Sequence, residues 1–250
     1  MLATLATSLL ALAAAAPEQA QAFTPGEEAV YQVTYLKLPT GEARISVGPA
    51  QGGIWPVTFQ ARTGGIASLF DVREHMVSYW DHASRSSRGS DLRAYEVGDL
   101  HVDSTRFDRA AGKATVTVER KGKKRVKQVD VPADVHELTS AFMWLRLQPL
   151  AIGQTYSVPV IASNKSSTLV MQVVAREKLK TPAGKFDALK LHVQPQIEGK
   201  FSSSRPLTMW VTADAAHVLL RVEADFAIGS MVVALKRYTP GAPLTADARP

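Results

Sequence analysis

One stretch of this chain carries a long helical repeat, and almost everything else alternates like strand. In DVHELTSAFMWLRLQPL, residues 134–150, Val135, Leu138, Phe142 and Leu145 recur at the spacing of one helix face. Asp134 and Glu137 have the spacing of a capping box, and Pro149 ends the pattern. Met143, Trp144 and Leu147 widen the apolar side, so the helix needs a large cover, and a sheet is the cover on offer. Phe142 is expected in the core, where Phe142→Asp prevents folding. Arg146 lies about 100° round from Leu145 and is expected in water, where Arg146→Ala is nearly silent.

The flanking sequence supplies that sheet. Residues 29–38, 42–47, 54–62 and 71–81 alternate in the period of a strand, with Pro39-Thr40-Gly41, Gly48-Pro49 and Gly52-Gly53 as turns. Ser84 to Gly89 reads as a polar loop. Four further strands follow between Leu92 and Val131, and the rest lie between Gln154 and Tyr238. A meander of about twelve strands must curl or divide. The fold class expected is all-β and mainly antiparallel: a curled sheet, β-spiral or half-open barrel, with the helix packed on its concave side or plugging one end. A single domain over 23–238 is expected, with a Pro- and Ala-rich disordered tail over 239–250.

Residues 1–22 read as a secretory leader, with Ala20-Gln21-Ala22 as the cleavage site before Phe23. No Lys or Arg precedes its apolar run, so either the start lies upstream or the leader is atypical; a membrane anchor is the alternative. The apolar run is too short to span a bilayer. A cleaved leader makes the protein periplasmic. Removing it leaves 29 basic against 22 acidic residues, a formal charge of +7. The chain has no cysteine, which excludes disulfides, thiol catalysis and thiolate metal sites. The basic run Arg120 to Arg125 reads as a solvated hairpin tip rather than a nucleic-acid site.

Five stretches carry a resemblance: Gly26-Glu27-Glu28 leading into Tyr31–Tyr35, VREHMVSYWD (72–81), ELTSAFMWLRLQPL (137–150), TPAGKFDALKL (181–191) and residues 209–235. In this order they resemble the bacterial exported family catalogued as domain of unknown function 3108. The resemblance implies a periplasmic β-rich fold similar to a spiral or half-open barrel. It carries over no catalytic residue.

The six histidines form no metal-binding motif, and no nucleophile elbow or phosphate-cradling loop appears, so neither metal nor cofactor is implied. Arg73, Glu74, His75, Tyr79 and Asp81 share a strand with Trp80, and Arg106 and Asp108 share another. Facing inward, these charges would have to pair, as a structural network or a ligand site. Arg73, Glu74, Tyr79, Trp80, Asp81, Phe142 and Trp144 are therefore the candidate ligand-binding residues. Three function classes follow. The first is a non-enzymatic envelope protein holding a lipid or other apolar ligand in the groove of the sheet. The second is a scaffold binding another envelope protein or peptidoglycan. The third, ranked last, is a hydrolase built on Arg73, Glu74, His75 and Asp81.

Overall fold

Short alternating segments joined by tight turns pair with their neighbours in sequence, and the chain does this throughout. The computed structural model describes residues 22–242 apart from 66, 68–70, 163–164, 198–199, 202–205 and 227–228. The leader over 1–21, most of the turn after Gly65 and the tail beyond Ala242 lie outside the described residues. Strands β1 (Glu28–Tyr35), β2 (Leu38–Val47), β3 (Ile54–Thr63), β4 (Val72–Asp81), β5 (Ser86–Glu96), β6 (Asp99–Asp108), β7 (Lys113–Arg120) and β8 (Lys123–Asp130) form a continuous antiparallel meander. Helix α1 (Leu138–Arg146) follows. Then come β9 (Thr155–Ala162), β10 (Lys165–Thr181), β11 (Gly184–Ile197), the short β12 (Lys200–Phe201), β13 (Leu207–Thr212), β14 (Leu219–Asp225) and β15 (Ser230–Thr239).

The sheet runs β8-β7-β6-β5-β4-β3-β2-β1-β15-β14-β13-β11-β10-β9, with β12 on β11. The first strand thus pairs with the last, in the middle of an open sheet whose edges are β8 and β9. The segment carrying α1 connects those two edges. His136 stitches it to β9: its N–H donates to the Pro159 carbonyl and its carbonyl accepts from Ile161, both at 2.9 Å.

Antiparallel register sorts the connections between two ends of the sheet. One end holds α1 and the turns β2–β3, β4–β5, β6–β7, β10–β11 and β13–β14. The other is a rim made by β1–β2, β3–β4, β5–β6, β7–β8 and β14–β15. The largest core cluster joins Tyr31, Leu145, Met171, Leu191 and Leu220, and a second joins Phe23, Trp55, Trp80 and Met143 on the helix side.

Several expectations are corrected. The helix is shorter than its pattern because Val135 and His136 run extended beside β9. Its cap is Glu137, not Asp134: Glu137 accepts from Thr139 and Ser140 N–H at 2.8 and 3.1 Å, and Ser140 Oγ accepts from Glu137 N–H. Leu138 is exposed, while Ala141, Met143, Leu145 and also Arg146 are buried. The stretch Ser84 to Gly89 is not all loop, since β5 begins at Ser86. Gly89 belongs to that strand because a Cβ there would fall 2.1 Å from the Thr105 carbonyl oxygen. The first hairpin turns at Leu36-Lys37, both at positive φ (52° and 66°), in the primed geometry of two-residue turns rather than at Pro39–Gly41. Of the tail expected from 239 onward, the described part reaches Ala242, whose N–H donates to the Pro25 carbonyl at 3.0 Å, and the rest lies outside the described residues.

Candidate functional site

Arg146 sits at the last turn of α1, where a cation complements the helix dipole, and it is 3% exposed. Its fork closes on the equally buried Glu27, Nη1 to Oε1 at 2.6 Å and Nη2 to Oε2 at 3.1 Å. Nη2 also donates to the Ala22 carbonyl at 2.7 Å and Nε to the Ala216 carbonyl at 2.9 Å. The Phe23 ring lies 5.1 Å from the guanidinium. Tyr238 OH donates to Glu27 at 3.2 Å; burial and the Glu27 charge push this phenol up to about 12, so it stays a donor. His217 Nδ1 donates to the Arg146 carbonyl at 3.0 Å. One side chain thus fastens the N-terminal segment, the helix and the β13–β14 turn. The expectation of a solvated Arg146 is wrong, because its partner lies far away in sequence.

The other end of the helix is held by Arg109. It donates to the carbonyls of Ser87 at 2.7 Å, Val135 at 3.0 Å and Ala133. Beneath it, Ser78 Oγ donates to Glu137, whose carboxyl is raised by burial against the hydrogen bonds that hold it. His136 Nδ1 lies 3.1 Å from Ser140 Oγ. Burial first, and the Arg109 charge second, lower this imidazole to about 4, so it is neutral. Serine, histidine and glutamate meet here, but all three are sealed from solvent and spent on capping the helix.

Beside the Arg146 clamp, a cleft of about 800 Å³ opens at the C-terminal end of the helix, with Arg146 and His217 in its lining. Phe23, Trp80, Leu147, Pro149 and Leu150 give it apolar wall; His82, Arg85, Gln148 and Asp214 give it polar edge. The Phe23 ring meets Trp80 edge-on at 5.6 Å and Trp55 at 6.1 Å, which stiffens that wall. His82 stacks on Trp55 at 4.2 Å, and burial with the nearby Arg85 lowers its pKa.

Of the residues named from sequence, Trp80, Phe142 and Trp144 come together in one cluster and the charged ones scatter. Trp80 lines the cleft. Asp81 lies beside it and organises the turn, accepting from Ala83 and Ser84 N–H and pairing with Arg88 at 2.5 Å. Burial raises this carboxyl, but those hydrogen bonds and the Arg88 charge outweigh burial and leave it below its ordinary value. Glu74 faces inward nearer the rim, and burial, then Glu96, raises it. Arg73 is on the outer face, paired with Asp71 at 3.0 Å and over the Tyr95 ring. Tyr79 is also outside, donating to Asp91 at 2.6 Å, where Arg106 pairs with the same carboxylate at 2.8 Å. Phe142 and Trp144 are half-buried and pack against both core clusters. Alternation along β4 separates the charges that the sequence places together. Sequence reasoning missed Glu27, Arg85, Arg109, Arg146 and His217. The only local signal was Glu27 within the quoted Gly26-Glu27-Glu28. Among the described residues no acidic or histidine cluster could hold a metal, and no helix is long and apolar enough to cross a membrane.

With this geometry in view, the family described as "Protein of unknown function (DUF3108)" matches residues 30–236. The chain belongs to the DUF3108 family. No curated protein matches it. Among solved structures, this DUF3108 chain is similar to a β-barrel-like protein of domain of unknown function DUF1849 from Brucella abortus. That match has 10% identity and a TM-score of 0.59, and covers 86% of this chain and 97% of the other. At such identity the likeness concerns the fold, a β-barrel-like sheet. A candidate lipoprotein from Parabacteroides distasonis aligns with 11% identity and a TM-score of 0.33, over 87% of this chain and 98% of that one.

Proposed function

We propose that the protein is a non-catalytic envelope protein that holds a lipid or comparable amphiphile in the cleft at the helix end. The observation that carries this reading is the cleft itself. Its volume, about 800 Å³, falls in the range of small-molecule sites. Leu147, Pro149 and Leu150 give it apolar surface over the buried Phe23 and Trp80, and Arg85, Asp214 and Gln148 stand at its edge, a mix that suits an amphiphile. The leader pattern over residues 1–22 supports an extracytoplasmic location. The burial of the His136–Ser140–Glu137 group favours binding over hydrolysis.

The test is extraction of the protein, purified without detergent, followed by lipid mass spectrometry and titration with a fluorescent fatty-acid probe. Ala215 is exposed at the cleft, so Ala215→Trp narrows it without disturbing the core. The expected result is probe uptake by the wild type, reduced about tenfold or more in Ala215→Trp, which is about 1.4 kcal/mol or more of binding free energy. A protein that carries no lipid and takes up no probe overturns the reading.

A further inference from the structure

The rim opposite the helix is unusual in what it exposes. Leu36, Leu38, Val97, Leu100 and Phe226 are each between 45% and 73% exposed. Leu36 and Leu38 belong to the β1–β2 hairpin, Val97 and Leu100 flank the β5–β6 turn, and Phe226 follows β14. Tyr35 and Phe226 meet edge-on at 6.4 Å, which joins two of these tips into one patch.

Two of the tip residues also sit where the backbone disfavours them. Leu36 has φ 52° and Val97 φ 48°. Glycine, asparagine or aspartate adopts that region at least cost, and a β-branched residue there is a clear outlier. Val97 is 73% exposed, so no core contact repays it. Leu36 lies partly over Gly229, but the exposed Val97 side chain is not repaid by packing, and an observed outlier of this kind points to function.

Cations share the rim. Arg120, Lys121, Lys123, Lys124 and Arg125 surround the β7–β8 turn, all exposed. The acids near them are few: Asp99 pairs with Lys121 at 3.3 Å, and Glu119 faces Lys124 across the hairpin. Lysine on an edge strand such as β8 also guards against edge-to-edge pairing, but that device does not explain apolar tips on hairpins far from the edge. A protein partner is a poor match, since protein interfaces are depleted in lysine. Single apolar side chains set among lysines and arginines are the composition of surfaces that lie in the interface of an anionic membrane.

We infer that the turn rim docks on the surface of an anionic lipid bilayer, with Leu36, Val97 and Phe226 entering the headgroup boundary and the β7–β8 hairpin supplying the charge. This stands apart from the cleft, which lies at the other end of the sheet.

The experiment is flotation of the full-length protein with phosphatidylglycerol/phosphatidylethanolamine vesicles and with phosphatidylcholine vesicles, at low and high salt. Any contribution of the N-terminal segment is common to all variants, so differences between them report the rim. The wild type should float with the anionic vesicles and stay behind with phosphatidylcholine. Lys123→Glu/Lys124→Glu should lower partition about tenfold or more, given the contribution of each basic residue at an anionic surface. Leu36→Asn/Val97→Asn suits the backbone at both positions, so it keeps the fold. It should lower the binding that survives high salt about tenfold, the loss of two buried aliphatic anchors. Thermal melts of both variants should match the wild type. Absence of the wild type from the anionic vesicles overturns the inference. So does a Leu36→Asn/Val97→Asn variant that floats like the wild type, which would mark mere adsorption of a basic protein.

Discussion

The two ends of this sheet treat the same residue types in opposite ways. At the helix end arginine is drawn into the structure: the buried Arg146 holds a carboxylate and two carbonyls, and the half-buried Arg109 three carbonyls. At the rim, Arg120 and Arg125 are exposed on a hairpin. Apolar residues invert as well. The helix end covers Met143 and Leu145 wholly though it leaves Leu138 and Ile152 exposed, whereas at the rim Val97 and half of Leu36 stand in water at positive φ. A packed end needs every polar group satisfied, because an unpaired one costs free energy. An end that does not pack has no such demand, and what it displays is open to serve something outside the molecule. The comparison teaches that the helix end is where stability resides and the rim is where it can be spared.

The sharpest way to break this contrast is Arg146→Met. It keeps the stem but leaves Glu27 buried without its partner, at a cost of about 3–5 kcal/mol. A denaturant melt should show a loss of that size. Glu27→Leu/Arg146→Met removes both charges and should recover part of it, as paired replacement of a buried ion pair does. A single variant that melts like the wild type would mean that the clasp contributes nothing.

The next effect follows pH. His136 is neutral in the fold, with a pKa of about 4 against an ordinary 6.5. Below 6.5 the unfolded chain gains a proton that the folded chain refuses, so stability falls as pH drops. The slope is about 1.4 kcal/mol per pH unit until about 4, where the folded state also protonates and this contribution levels off. Glu137, raised by burial, works the other way: it takes up its proton earlier in the fold and so stabilises on acidification. Comparing wild type with His136→Asn between pH 7 and 4 isolates the imidazole. Equal slopes in the two proteins would exclude it as the source. Arg109→Met should come third. It strips three hydrogen bonds from the carbonyls ahead of the helix, for about 1–3 kcal/mol, read in the same melts; an unchanged midpoint would show that segment to be held by His136 alone.

The helix and most strands were legible because period and turn residues are local properties. Trp80, singled out as a large apolar residue among charges, lies in the lining of the cleft. Arg146 was not legible. A single charge inside an apolar repeat reads as a solvent-facing position, and its partner Glu27 is 119 residues away. The cap was displaced by three residues because His136 is claimed by β9, a long-range contact that propensity cannot see. The first turn was missed because Leu36-Lys37 contains no glycine or asparagine. The charged group on β4 dissolved into two faces because alternation, read correctly for the strand, was not applied to its charges.

The smallest expected effect has the opposite sign, and it bears most directly on the comparison. At the helix end, replacing an apolar residue by a polar one, as in Leu145→Asn, removes buried surface from a fully covered side chain and should cost several kcal/mol, roughly the range for large core truncations. At the rim, Val97→Asn removes a side chain that touches little and relieves a backbone held at φ 48°. Asparagine tolerates that conformation. Stability should therefore rise slightly, by about 0.5 kcal/mol, within the band of ordinary surface substitutions. The pair of melts is decisive because the chemistry of the two changes is alike and only the location differs. If Val97→Asn instead destabilises by more than about 1 kcal/mol, beyond that surface band, Val97 is part of the fold's packing. The rim would then be a second structural end rather than a surface kept for a partner.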